Sequence, residues 1–488
     1  MAEDPAWGGP DLGSMRHRPW HHITMIVRKR WLVALVPALL AGAVVATLGT
    51  IGTSVKVPVA NTNATGTPGT TQSPTDRPTP SPTPSASPTV TAAPATGTPV
   101  TSSTAASRSK PAVHRALPAL PAIGVFGGSS IAQIAFGTGQ DAYLGHTSSS
   151  VYVEINDYEH GRVGQIHAAN SATKVLVYAE VQTEGPNSCQ WDANPSWGVS
   201  YCYATNNHPE WFLLNKSGQR AQYTDNGYYM MDLGSPTYQA AWVANEIAMA
   251  HRDGFQGIEM DDVNLSPGHG TDGTLAKYSD SQYEATVQAF VAVVSPQLKA
   301  AGLLVSANIG NANPWDTNAL NESVQIAASL SIYNHEFWMR WQEGTPLMNG
   351  AEWAASIHME ETIQNTGAAF TALTYGSIND VTAMRYTRGS FLLGWNGRAG
   401  SALIYRPDPD LVDPYAADWT TDVGAPSGAR YAVGIGWRRD FAAGTVVINP
   451  AGSGSQTFDL RGNYRMPDGS VVSSVTLGPT SALVLPAA

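Results

Sequence analysis

The residues best suited to do chemistry sit at the end of one short run, Gly254-Phe255-Gln256-Gly257-Ile258-Glu259-Met260-Asp261-Asp262-Val263-Asn264. Glycines introduce an apolar stretch that ends in acids, as a parallel strand does where it reaches the working face of a sheet. Side chains alternate along a strand, which places Glu259 and Asp261 on one face and Asp262 on the other. Carboxyl groups so placed serve as general acid, general base or nucleophile. The same letters also suit a helix cap at Asp262 or a structural cation, so the surrounding elements must decide.

Those elements repeat. Short β-rich runs alternate with longer helix-compatible stretches: Ile131–Gly137, Val151–Ile155, Lys174–Val181, Gly257–Asp261, Leu303–Asn308, Leu330–Glu336, Ala369–Tyr375 and Ala402–Tyr405. Helical patterns such as Tyr238–Arg252 and Gln282–Ala301 separate them. Eight strands of this kind predict a (β/α)8 TIM barrel over residues 122–410, with catalytic groups at the C-terminal strand ends. Several runs end in polar residues: Glu154, Asn156 and Asp157, then Glu180, Asn308, His335-Glu336, Tyr375 and Tyr405-Arg406. One such end is ordinary, whereas a ring of them suits a sugar, whose many hydroxyls need paired donors and acceptors. The flat C–H faces of a sugar stack on aromatics, and Trp191, Trp197, Trp211, Trp315, Trp338, Trp341 and Trp395 are available. Each alone serves equally as core; together they predict at least two in a cleft, with Trp211 and Trp338 the chosen candidates. The long interval after the third run carries both cysteines and lands on the active-site face, where it can wall that cleft.

Composition narrows the function further. A net charge of −11 gives nucleic acid nothing to bind to. No CxxC, HxH or HExxH pattern occurs, so neither a metal nor another cofactor is expected. Cys189 and Cys202, close in sequence, read as a loop-closing disulfide if this part of the chain lies outside the cell.

The N-terminal region predicts that it does. Residues 1–30 carry Arg16, Arg18 and the run Arg28-Lys29-Arg30, and from Trp31 to Val55 no side chain is charged. That length crosses a bilayer core of about 30 Å as a helix. The basic flank keeps the tail cytoplasmic and exports the rest. A retained signal-anchor at 31–55 is therefore expected at the cell membrane, against the rival of a cleaved signal peptide, whose apolar core is usually shorter. Residues 56–121, rich in Thr, Pro, Ser and Ala, cannot bury enough surface to offset their entropy and read as a disordered stalk. At the other end, 425–488 alternate apolar and polar in short runs: Arg430–Trp437, Thr445–Asn449, Gln456–Leu460, Val471–Leu477 and Ser481–Leu485. They predict a small antiparallel β-sandwich.

Several stretches also resemble a family. Pro209-Glu210-Trp211-Phe212-Leu213-Leu214, a turn at Gly218, Met231-Asp232-Leu233, Trp242 and then Gly254-Phe255-x-Gly257-Ile258-x-Met260-Asp261-Asp262 are similar to the glycosyl-hydrolase-like family 15 group. That group is related in layout to endo-α-1,4-polygalactosaminidases and clan D α-glycosidases, and the similarity spans roughly residues 122–488. It implies a TIM barrel that hydrolyses a polysaccharide. In the related α-glycosidases the nucleophile is an Asp ending the fourth strand and the acid/base ends the sixth; those places fall on Asp261 and Glu336. The chain departs from them at Glu259, where they often carry a basic residue, and a carboxylate there would raise the pKa of Asp261.

Glycosidic cleavage requires one carboxyl to protonate the leaving oxygen and a second to attack or to activate water. Asp261 is the expected nucleophile or base and Glu336 the acid, unless Glu336 merely pairs with Arg340 one turn on. Substrate contacts are expected from Glu180, Asp262, Asn308, His335, Tyr375 and Arg406. A non-catalytic barrel that binds wall polysaccharide needs the aromatics but not the second carboxyl. A metal-dependent hydrolase would need His335, Asp261 and Asp262 to converge.

Overall fold

The computed structural model describes residues 131–136, 150–186, 189, 198–224, 226–267, 270–271, 274–310, 312–377, 379–406 and 418–488. Eight parallel strands close on themselves: β1 (Ile131–Ile134), β2 (Ser150–Ile155), β3 (Lys174–Glu180), β4 (Gly257–Asp261), β5 (Leu304–Asn308), β6 (Ile332–His335), β7 (Ala369–Tyr375) and β8 (Ala402–Arg406). Each pairs with its neighbours in chain order, and β8 returns to β1. Every run expected as a barrel strand is one, to within a few residues at each end. Helices α1 (Val163–Ala169), α2 (Pro236–Asp253), α3 (Asp280–Ala300), α4 (Thr317–Ala327), α5 (Gly350–Asn365) and α6 (Val381–Gly394) alternate with them.

Local chemistry explains how β4 delivers its acids. Ser235 caps α2 by accepting from the Tyr238 N–H, Pro236 occupies the first turn, and Gly254 ends the helix in the left-handed region at φ 81°. The chain then re-enters the sheet through the buried Phe255. A Cβ on Gly257 would lie 2.8 Å from both the Leu304 Cβ and its carbonyl oxygen, so only glycine fits at the floor of the barrel. Ile258 and Met260 join the large core cluster shared with the helices, whereas a smaller cluster with Leu176, Leu304, Ile332 and Ile404 fills the barrel. Above that plug the interior turns polar.

After β8 the chain forms antiparallel sheets. One has the order β9 (Tyr431–Val433), β10 (Gly436–Phe441), β11 (Gly444–Asn449) and β14 (Ser481–Pro486), and the other pairs β12 (Gln456–Arg465) with β13 (Val471–Leu477). Val447, Phe458, Leu460, Val475, Leu477, Leu483 and Leu485 pack between them. The run expected as one strand over Arg430–Trp437 is the hairpin β9–β10, turned at Gly434 with φ 60°. A glycine within an apolar run is the signal that marked it. Helix α6 is buried at every position from Tyr386 to Gly394, because the barrel covers one side and the sheet the other. A Cβ on its Gly389 would lie 2.6 Å from the Ala482 Cβ of β14. From β10, Arg439 Nη1 donates to the carbonyls of Leu392, Leu393 and Trp395 at 3.0, 2.9 and 2.6 Å, satisfying the open end of that helix.

Among the described residues no helix is long and apolar enough to cross a membrane. The expected anchor at 31–55 and stalk at 56–121, together with Trp191 and Trp197, lie outside them.

Candidate active site

Alternation along each strand sends one set of side chains into the barrel mouth. Glu154 comes from β2, Tyr178 and Glu180 from β3, Glu259 and Asp261 from β4, Asn308 from β5, Asn334 and Glu336 from β6, Tyr375 from β7 and Arg406 from β8. Asn308 stands at the centre. Its Nδ2 donates to Asp261 Oδ1 and to Glu336 Oε2, each at 2.8 Å. The two oxygens held at that distance from one nitrogen are at most about 5.6 Å apart, which is compatible with the carboxyl pairs of retaining glycosidases (about 5–5.5 Å) and short of those of inverting ones (about 6.5–9.5 Å). The Tyr375 hydroxyl donates to Glu336 Oε1 at 2.6 Å. Arg340, the alternative partner of Glu336, binds instead to Asp380 through two nitrogens at 3.0 Å.

The electrostatics follow from packing six carboxyls into the mouth with one arginine. Burial raises the Asp261 pKa, and the neighbouring Asp262 charge adds to it, against the Asn308 donor and the Asp262 backbone N–H. Burial likewise raises Glu336, followed by the charge of Asp261, while the Tyr375 and Asn308 donors and the Arg406 charge oppose the rise. Glu259 is pushed up to about 8, chiefly by burial. It accepts from Asn334 Nδ2 at 3.0 Å and is largely neutral at pH 7. Glu259 and Asp261 do repel, with Asp261 adding to the rise at Glu259, but the charge that acts most on Asp261 is that of Asp262. Glu154 and Glu180 are both held well above the usual carboxylate range, first by burial and then by the surrounding acids.

Asp262 caps no helix, since α3 begins at Asp280 with Ser279 as its cap. Its backbone is left-handed, at φ 53°, which breaks strand alternation at that point. The carboxyl comes to lie beside Glu180 and within 3.3 Å of Asn264 Nδ2. Glu180 accepts from the Gln182 N–H and the Thr183 hydroxyl, each at 3.2 Å. The long insertion after β3 walls this side. Gln182 Nε2 donates to the Asn264 carbonyl at 2.7 Å, and Gln182 Oε1 accepts from the Tyr223 hydroxyl at 2.5 Å. Asp232 fastens the wall from below, accepting from the Tyr278 hydroxyl at 2.7 Å and pairing with Lys277 at 2.5 Å. Within the insertion Cys189 and Cys202 form the expected disulfide.

Three expected site residues lie elsewhere. His335 obeys the alternation that turns Asn334 and Glu336 inward: it packs outward near Phe370, and burial lowers its pKa to about 4. A proton carrier or metal ligand at the mouth is thereby removed; among the described residues no group of three metal-binding side chains forms. Trp338 is wholly buried and meets Phe370 edge to face, and Trp211 is 2% exposed, donating to Thr237 Oγ1 and stacking on His208 at 3.9 Å. Neither offers a face to a sugar, because both fill gaps between strands and helices. Among the described residues the exposed tryptophans are Trp315 and Trp341, each at 44%. Tyr178 and Asn334 join the site without having marked a strand end in the sequence, although counting back by twos from Glu180 and Glu336 finds them.

No curated protein matches the sequence at a significant level. Among solved structures it is similar to a noncanonic maltogenic α-amylase, AmyB, from Thermotoga neapolitana, at 10% identity over 74% of this chain and 99% of that one, with a TM-score of 0.45. It is also similar to the glycoside hydrolase domain of PelA from Pseudomonas aeruginosa, at 13% identity over 50% and 84% of the two chains and a TM-score of 0.32. The α-amylase of Geobacillus thermoleovorans gives 9% identity, coverage of 73% and 98%, and a TM-score of 0.44. A sequence model described as hypothetical glycosyl hydrolase family 15 matches residues 167–445, from α1 through the first strands of the sandwich. That span takes in β3 to β8, the walling insertion and the two carboxyls joined through Asn308, so the chain belongs to hypothetical glycosyl hydrolase family 15 and is a glycoside hydrolase.

Proposed function

We propose that the protein is a membrane-anchored, extracellular glycoside hydrolase that cleaves a polysaccharide with retention of configuration. The observation that carries the proposal is the single amide of Asn308 bound to both Asp261 and Glu336. In the first step the Asp261 carboxylate attacks the anomeric carbon while Glu336 gives its proton to the departing glycosidic oxygen. The C–O bond of the linkage breaks and a glycosyl ester on Asp261 forms. In the second, Glu336, now a carboxylate, takes a proton from water. The water oxygen attacks the anomeric carbon and the Asp261 carboxylate leaves. Burial favours the protonated form of Glu336 that the first step needs, and Tyr375, Asn308 and Arg406 stabilise its charge between the two. Glu180, Asp262 and Arg406 are positioned at the rim to meet sugar hydroxyls.

Export is supported by the uncharged stretch 31–55 behind its basic flank and by the Cys189–Cys202 disulfide, which persists in oxidising compartments. Residues 56–121 would then span the cell wall as a stalk. The test is a screen of the purified protein against galactosaminogalactan, α-glucans and cell-wall glycans, with Asp261→Asn and Glu336→Gln alongside. Cleavage abolished in both variants, with the first-formed product in the anomeric configuration of the substrate by NMR, is expected. Inverted product would overturn the assignment of Asp261 as nucleophile, and binding without cleavage would make the barrel a polysaccharide-binding module.

A further inference from the structure

Residue 337, directly after Glu336, is held in a conformation that bulky side chains avoid: Phe337 has φ 61°. Strain of this kind persists where the surroundings enforce it. Here the enforcement is visible on both flanks. The Trp338 N–H donates to the Leu373 carbonyl at 2.8 Å, its ring is buried, and the Met348 N–H donates to the Met339 carbonyl at 2.9 Å. Arg340, 7% exposed, is clamped to Asp380 at the start of α6. Three successive buried anchors thus fix a short loop that also carries the aromatics Phe337 and Trp341. The Phe337 ring stacks on Tyr375 at 5.4 Å and 29°, and also approaches Trp341 at 5.6 Å and 30°. Tyr375 is the residue that donates to Glu336. Ring contacts thus link the residue that donates to the acid, through Phe337, to Trp341, which is almost half exposed on a rigid support.

We infer that Tyr375, Phe337 and Trp341 form a stacking platform for the leaving-group side of the polysaccharide, with Trp341 holding a sugar ring beyond the one that Glu336 protonates. This rests on the role proposed for Glu336, since the acid stands beside the departing oxygen and the ring contacts begin at the residue that donates to it. A planar indole presented rigidly binds the apolar face of a sugar with little entropy left to lose. The platform makes the enzyme prefer substrates that extend past the cleavage point over those with a single-ring leaving group.

The test compares wild type, Trp341→Ala and Trp341→Phe in the full chain. Each is assayed on the polysaccharide found in the screen and on a nitrophenyl glycoside of its sugar, whose leaving group ends at the first ring. Trp341→Ala is expected to lose about tenfold in kcat/KM on the polymer, mostly through KM, and less than twofold on the nitrophenyl glycoside; Trp341→Phe recovers most of the loss. Equal losses on both substrates, or none on the polymer, overturn the platform. If wild type cleaves nothing, the catalytic reading fails, and retardation in gels containing each polysaccharide decides the platform. Retardation lost in Trp341→Ala supports it; retardation unchanged, or absent in wild type, overturns it.

Discussion

Replacing Asn308 by Ala removes one nitrogen and, with it, two charge-assisted hydrogen bonds. Each such bond contributes about 1.5–3 kcal/mol. The two share one donor group and are not additive, so a loss of about 3 kcal/mol in transition-state stabilisation, roughly 150-fold in kcat/KM, is the expected scale. The pH profile supplies the second readout. Asn308 favours the ionised form of both Asp261 and Glu336, so without it both pKa values rise. Asp261 must be ionised to attack, and the acidic limb of kcat/KM therefore moves to higher pH. The assay is the pH–rate profile of wild type and Asn308→Ala on one substrate, with thermal unfolding as a check on folding. A fall in rate with an unmoved acidic limb would refute the reasoning, because Asn308 would then act on something other than the charge of the pair. A rate within threefold of wild type would refute it more directly.

Three further outcomes can be measured. Glu259 has an ordinary pKa of 4.5 and a folded one of about 8, so its neutral form is favoured by folding, and that advantage is fully present below pH 4.5 and lost as pH rises to about 8; Glu259→Gln should therefore gain stability relative to wild type across that window in chemical denaturation. Cys202→Ser opens the loop of 13 residues closed by the disulfide and should cost about 2–4 kcal/mol of unfolding free energy, lost equally from wild type on reduction. Trp338→Ala empties a wholly buried site and should cost about 3–5 kcal/mol by urea denaturation.

The sequence carried the barrel because its signal is short-range. Each strand alternates within itself, and polar residues at the ends of β3, β5, β6, β7 and β8 marked the working face without any knowledge of pairing. The role of Asn308 was hidden for the opposite reason: it depends on β4, β5 and β6 standing side by side in register, with Ser306 opposite both Glu259 and Ile332. Alternation along β6 turns His335 outward, so its place beside Glu336 in the sequence does not bring it into the mouth. The tryptophans failed on chemistry: an indole suits a core and a sugar equally, and only burial separates Trp338 from Trp341 three residues later. The left-handed backbone at Asp262 is likewise invisible in an Asp-Asp pair, yet it decides which carboxyl crowds Asp261.

The way α6 is shared has a consequence for where this protein can be cut. Composition changes after Asp410, and a cut there looks natural. Yet the last barrel helix has its outer face against Ala482 and its final carbonyls on Arg439. A fragment ending before residue 425 would keep every acid of the mouth and still present to water a helix made for burial on all sides. The C-terminal sheets are thus not a cassette to be traded between enzymes but part of the wall that lets the barrel close. The shortest piece expected to work as a catalyst runs to the end of β14.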